Sequence, residues 1–147
     1  MAESVLEQYL SIINRLIRNK LNAELKPLNL SENNFMIISK LFNHPGVSQI
    51  ELNRLIYRNH SIISKQIKRL QNMGYVEMKV DPANKTKRQL FLTDKGIAVN
   101  SKVQLIQASV NHWIVAELSE SDRENFENIL KQIFSNKNTE IQDILLS

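Results

Sequence analysis

From Val5 to Leu21 the apolar positions fall at Val5, Leu6, Tyr9, Leu10, Ile13, Leu16, Ile17 and Leu21. Steps of three and four residues predict an amphipathic helix over residues 2–22. Pro27 in "ELKPLNLS" breaks that pattern. Ser31 is placed to cap a second helix, with Phe35, Ile38, Leu41 and Phe42 on its inner face. "NHPG", residues 43–46, ends it. Ser48 and Glu51 have the spacing of a capping box for a short third helix, whose apolar side is Leu52, Leu55 and Ile56. "YRNH" at 57–60 reads as a brief turn. The stretch "HSIISKQIKRLQNMGYV" then gives a fourth helix, capped by Asn59 or Ser61, with Ile62, Ile63, Ile67 and Leu70 as its apolar residues. Gly74 stops it at a left-handed C-cap position.

Beyond Gly74 the period drops from 3.6 to about 2. Val76, Met78 and Val80 alternate with Glu77 and Lys79, and "QLFL" at 89–92 is a second extended run. "DPANKTK" between them supplies turn residues, which predicts a two-stranded hairpin with a basic tip. Thr93 and Asp94 open a long helix carrying Ile97, Val103, Ile106, Val110, Trp113, Ile114 and Leu118. Two overlapping caps, Ser119 with Asp122 and Ser121 with Glu124, precede a last helix through Phe126, Ile129, Leu130 and Ile133. The end, "IQDILLS", reads as one more helical turn docked on a partner. The fold class is therefore mainly α with a small β-hairpin: a winged helix-turn-helix flanked by long helices.

Charge sharpens this picture. The chain carries +4 over 147 residues, but residues 51–92 hold nine basic and three acidic side chains, a local +6 that leaves −2 elsewhere. A contiguous cationic stretch suits a polyanionic partner. On a helical wheel with Ile63 at zero, Ile67 and Leu70 fall within roughly 40°. Ser61, Lys65, Lys68 and Asn72 lie opposite, with Arg69 at the flank. Such a face fits a DNA major groove, where Lys and Arg reach phosphates or guanine and amide side chains reach adenine. Lys85, Lys87 and Arg88 at the hairpin tip are placed for the backbone or the adjacent minor groove. The stop at Gly74 lets the hairpin flank the same duplex.

Other chemistry is thinly supported. With 42% apolar residues there is enough for a core, and with three glycines no phosphate-binding Gly-rich motif occurs. Cysteine is absent, which removes thiolate ligands and disulfides. His44, His60 and His112 have no metal-site spacing, so no metal and no cofactor are expected. No hydrolase or kinase signature appears, so an enzyme is not expected. Glu117, Glu120, Asp122 and Glu124 fit the start of a helix, where the macrodipole favours acids. No apolar run approaches the roughly 18 residues of a membrane span, and "MAESVLEQYL" does not read as a signal peptide. A soluble cytoplasmic protein with no membrane partner is expected.

The stretches "LNLSENNFMIISKL", "VSQIELNRL", "IISKQIKRLQNMGYVE" and "LFLTDKG" resemble the MarR/SlyA family of bacterial transcription regulators, from about Leu6 to Ile133. The most specific matches are Leu70, Gly74, Tyr75 and Val76, and then Leu92, Thr93 and Gly96. The resemblance implies a homodimer joined by the first helix and the last two, on a pseudo-palindromic operator in double-stranded DNA. By the same resemblance Ser64 and Lys65 match a recognition-helix pair that contacts DNA. The family wing places an acid and an arginine nine and seven residues before the threonine; here those positions are Asn84 and Thr86. A neighbouring cation is expected to substitute in part. Similar proteins bind small aromatic ligands between the dimer helices and the winged region. Asn34, Phe35, Ile38 and Ser39 would face such a cleft, although Phe35 and Ile38 fit the core equally well. His112 beside Trp113 is an interface or pocket-wall pair.

The expected organisation is one chain with dimerisation helices at 1–30 and 97–147 around a DNA-binding region at 31–96. Dimerisation has support apart from the resemblance, because the first and fifth helices carry more apolar residues than a small winged domain covers. The function expected is a sequence-specific transcriptional regulator, repressor in preference to activator, released by a small aromatic effector. An interaction module whose basic face meets an acidic protein is the alternative.

Overall fold

The computed structural model describes residues 3–57 and 60–146, with the side chains of His60 and Leu146 left aside. Arg58, the Asn59 cap and the middle of the "YRNH" turn lie outside the described residues, as do the predicted helix start at Ala2 and the terminal Ser147.

Helix α1 spans Leu6–Leu25, starting later and running further than its apolar pattern indicated. It closes in a single 3-10 turn, Lys26–Leu28, with Pro27 inside and Asn29 in the left-handed region at φ 57°. Helix α2 is Phe35–Asn43. Ser31 does not cap it directly. The Ser31 hydroxyl accepts from the Asn33 N–H, and the helix opens three residues later behind Asn34. Asn34 is buried because its side chain is used twice. Its Oδ1 accepts from the Ser31 N–H at 2.9 Å, and its Nδ2 donates to Gln66 Oε1 at 3.2 Å. A buried amide needs such partners, and these tie the start of α2 to the fourth helix.

Helix α3, Gln49–Ile56, has the expected Ser48 cap, whose hydroxyl accepts from the Glu51 N–H. Helix α4 is His60–Asn72, so His60 is its first residue rather than part of a turn. Strands β1 (Val76–Asp81) and β2 (Asn84–Leu92) pair antiparallel, Val76 opposite Leu92 and Val80 opposite Arg88. The turn shrinks to Pro82–Ala83, because Asn84 to Arg88 belong to β2 and not to a loop. Val47, just before α3, bridges to Leu90 and anchors the hairpin base to the helix-turn-helix.

Helix α5 spans Asp94–Ile114, capped by the Thr93 hydroxyl. Helix α6 spans Glu120–Asn136, capped by Ser119 rather than Ser121, and α7 spans Asn138–Leu146.

One core unites these elements: Leu25, Ile37, Ile38, Leu41, Leu52, Ile63, Ile67, Leu70, Leu90 and Val103 are all buried. Apolar residues at two places in the winged region lie outside this core. Phe42 is 45% exposed, since α2 turns that position outward at its last turn. Met78 and Val80 are also exposed, because β1 runs out past the core and only Val76 at its base is covered.

A second set of apolar side chains among the described residues is exposed to solvent. Leu6, Tyr9, Leu10, Ile13 and Leu16 on α1 are exposed, as are Phe126, Ile129, Leu130 and Ile133 on α6 and Ile144 on α7. Among the described residues no helix is long and apolar enough to cross a membrane.

Candidate nucleic-acid interface

Helix α4 separates its faces as the wheel requires. Ile63, Ile67 and Leu70 are 0–2% exposed, while Ser61, Ser64, Lys65, Lys68 and Arg69 are all exposed. Among the described residues no acidic side chain pairs with Lys65, Lys68 or Arg69. Their charge is therefore uncompensated at short range, which suits an anionic surface.

The end of α4 is built from four separate contacts. Gly74 takes φ 81°, its N–H donates to the Gln71 carbonyl, and the Tyr75 N–H donates to the Leu70 carbonyl, closing a Schellman motif. The Thr93 hydroxyl donates to the Gly74 carbonyl at 2.5 Å. Lys95 Nζ donates to the Met73 carbonyl at 2.8 Å and stands 4.8 Å from the Tyr75 ring centre. A cation on the last carbonyls of a helix also complements its dipole. Lys95 was not singled out from the sequence. Its partner carbonyl lies 22 residues away, and no local pattern announces that contact.

In the hairpin the three predicted cations differ. Lys85 is exposed and its side chain makes no ion pair among the described residues. Arg88 donates to the Lys85 carbonyl at 3.1 Å, which bends its guanidinium across the turn. Lys87 Nζ lies 3.1 Å from the Glu51 carboxylate on α3. The hydrogen bond from Lys87, with its charge and the N–H and hydroxyl of Ser48, holds the Glu51 carboxyl below the ordinary carboxylate range against an opposing desolvation. Asn84 and Thr86, at the family's acid and arginine positions, bond to each other instead: Asn84 Oδ1 accepts from the Thr86 N–H at 3.1 Å and its hydroxyl at 2.7 Å.

Of the residues expected at a ligand cleft, Asn34, Phe35, Ile38 and Ser39 sit at the start of α2 and His112 near the end of α5. Asn34 and Ile38 are in the core, Ser39 is half-buried, and His112 is exposed on α5. Phe35 lines a cleft of about 340 Å³, shared with Ile17, Arg18, Glu32, Met36 and Ile56. Arg18 and Glu32 form an ion pair at 2.6 Å within it. Among the described residues no cluster of three His, Asp or Glu side chains is arranged to hold a metal ion.

Comparison with known proteins agrees with this geometry. The MarR family model matches residues 30–87, which covers α2, α3, α4, β1 and the first part of β2. The HTH-type transcriptional regulator YybA of Bacillus subtilis is 28% identical over 87 residues, 59% of this chain and 58% of that relative. The crystal structure of the transcriptional regulator SlyA superposes with a TM-score of 0.88 at 21% identity, covering 96% of this chain and 99% of that one. A mutant MarR from E. coli complexed with operator DNA gives 0.80 at 21% identity, covering 87% and 92%. The two superpositions establish the winged helix-turn-helix fold, and the stretch matched by the MarR family model, residues 30–87, lies within it.

Proposed function

We propose that the chain is a sequence-specific double-stranded DNA-binding regulator acting as a homodimer on a pseudo-palindromic operator in the bacterial cytoplasm, with repression as its effect. The observation that carries this is the outer face of α4: three exposed cations with no ion pair among the described residues, on a helix whose inner face is buried. Lys65, Lys68, Ser61 and Ser64 would meet the major groove, with Arg69 at its edge. Lys85 and Arg88 would meet phosphates or the minor groove, and Lys87 would do so only by leaving Glu51. The operator-bound MarR structure is the relevant parallel. Residues 31–96 make up the DNA-binding region, with 1–30 and 97–147 as dimerisation helices.

The exposed apolar faces of α1 and α6 support dimerisation, since patches of that extent on a folded chain mark interfaces. A small aromatic effector would act through the cleft beside Phe35 by favouring a dimer whose recognition helices misfit DNA.

A salt series on a duplex tests the reading. Each neutralised phosphate lowers log K by about 0.9 per decade of salt. A dimer with several cations per subunit should show a slope several times that. A shallow slope, with tight binding to an acidic protein, would favour the interaction-module reading instead.

A further inference from the structure

The outward face of α4 is polar at every described position but one. Ile62 is 45% exposed, whereas Ile63, its neighbour in sequence, is 0% exposed. Ile62 thus stands apart from the other apolar residues of this helix, Ile63, Ile67 and Leu70, which are buried. It is the third residue of α4, in the turn that, in recognition helices, reaches the base edges. At about 100° per residue it lies within roughly 60° of Lys65 and Arg69, so the three form one exposed stripe.

We infer that Ile62 is a specificity-determining residue that packs against the 5-methyl group of a thymine in each half-site; this rests on the DNA-binding reading above. The major groove offers one apolar group, the thymine methyl, among hydrogen-bonding groups. A serine or lysine gains little from it, but a branched aliphatic side chain does. In a helix isoleucine holds one χ1 rotamer about 90% of the time, so little freedom is lost on contact. Lys65, one turn on, then reaches a neighbouring base or phosphate. The expected half-site therefore has a thymine at the position nearest the start of α4.

The test uses a duplex chosen by selection from random sequences, with thymines replaced by uracil at one symmetric pair at a time. Uracil keeps every hydrogen-bonding group and loses only the methyl. For the wild type, one pair should weaken binding roughly fourfold per half-site, about fifteenfold for both. Ile62→Ser should bind the thymine duplex less tightly and lose this sensitivity. Its melting temperature should stay unchanged, because the side chain is outside the core. The inference is overturned if no thymine pair matters to the wild type, or if Ile62→Ser remains equally sensitive. A wild type that binds no duplex under any condition overturns the DNA reading and this inference with it.

Discussion

Gly96 packs its Cα against the carbonyl oxygen of Tyr75, so closely that a Cβ at residue 96 would overlap that oxygen and crowd Leu92. The two motifs that carry the family resemblance, one ending α4 and the other opening α5, are thus two sides of one contact. The Tyr75 carbonyl itself accepts from the Thr93 N–H at 3.1 Å, and the Tyr75 hydroxyl donates to the Leu28 carbonyl at 3.1 Å. Helix α4 is thus fixed at its end to the start of helix α5.

Gly96→Ala should therefore destabilise the fold by roughly 1–3 kcal/mol, the usual cost of overpacking. The clashing atom is backbone and cannot rotate away. Denaturant unfolding measures the loss, and a cost within error of zero would mean that α5 shifts freely relative to α4.

Gly74 should behave differently. A Cβ there meets only Lys95 Cδ at 3.8 Å, so space is available and the cost is conformational. At φ 81° an alanine should lose about 1–2 kcal/mol. Asparagine, which tolerates the left-handed region, should lose less. Equal losses for the two variants would contradict a backbone origin.

How much of this was legible in the chain follows the range of each interaction. The Ser48, Thr93 and Ser119 caps and the Gly74 stop were visible because each is settled within a few residues. The start of α2 was misplaced because Asn34 is held by Gln66, 32 positions away. The hairpin was drawn too short, since the polar run from Asn84 to Arg88 has no strand-like alternation and is in β2 by pairing. Sorting the cations required three dimensions: Lys87 meets Glu51 through the fold, and Ile62 differs from Ile63 only by which way α4 is turned. The ligand-cleft residues were inferred from resemblance, and the fold buries Asn34 and Ile38.

The Glu51–Lys87 pair gives a pH signature. The Glu51 carboxyl is lowered in the fold from 4.5, so its contribution is present above that value and is lost as pH falls below it toward the folded value. Glu51→Gln, which keeps the capping geometry, should be less stable than wild type at pH 7 and equal to it in strong acid. A gap between the two that persists unchanged at low pH would assign the difference to the cap and not to the charge. Both groups are solvent-exposed, so the gap should be small and should close in high salt.

Substitutions on the two basic elements should separate affinity from choice. Lys85→Gln should reduce the salt slope by about 0.9 per subunit, about 1.8 for the dimer, and weaken all duplexes alike. Lys65→Gln should cost about 1–3 kcal/mol on the preferred site and far less on unrelated DNA. If both variants lower specific and non-specific binding in the same proportion, α4 is not reading bases.

The most direct measurement is selection of bound sequences from a random duplex pool by the purified protein. The account predicts inverted repeats with half-sites centred about one helical turn, 10–10.5 base pairs, apart, bound by two chains. A monomer that enriches no sequence, even in dilute buffer where electrostatic binding is strongest, would contradict it.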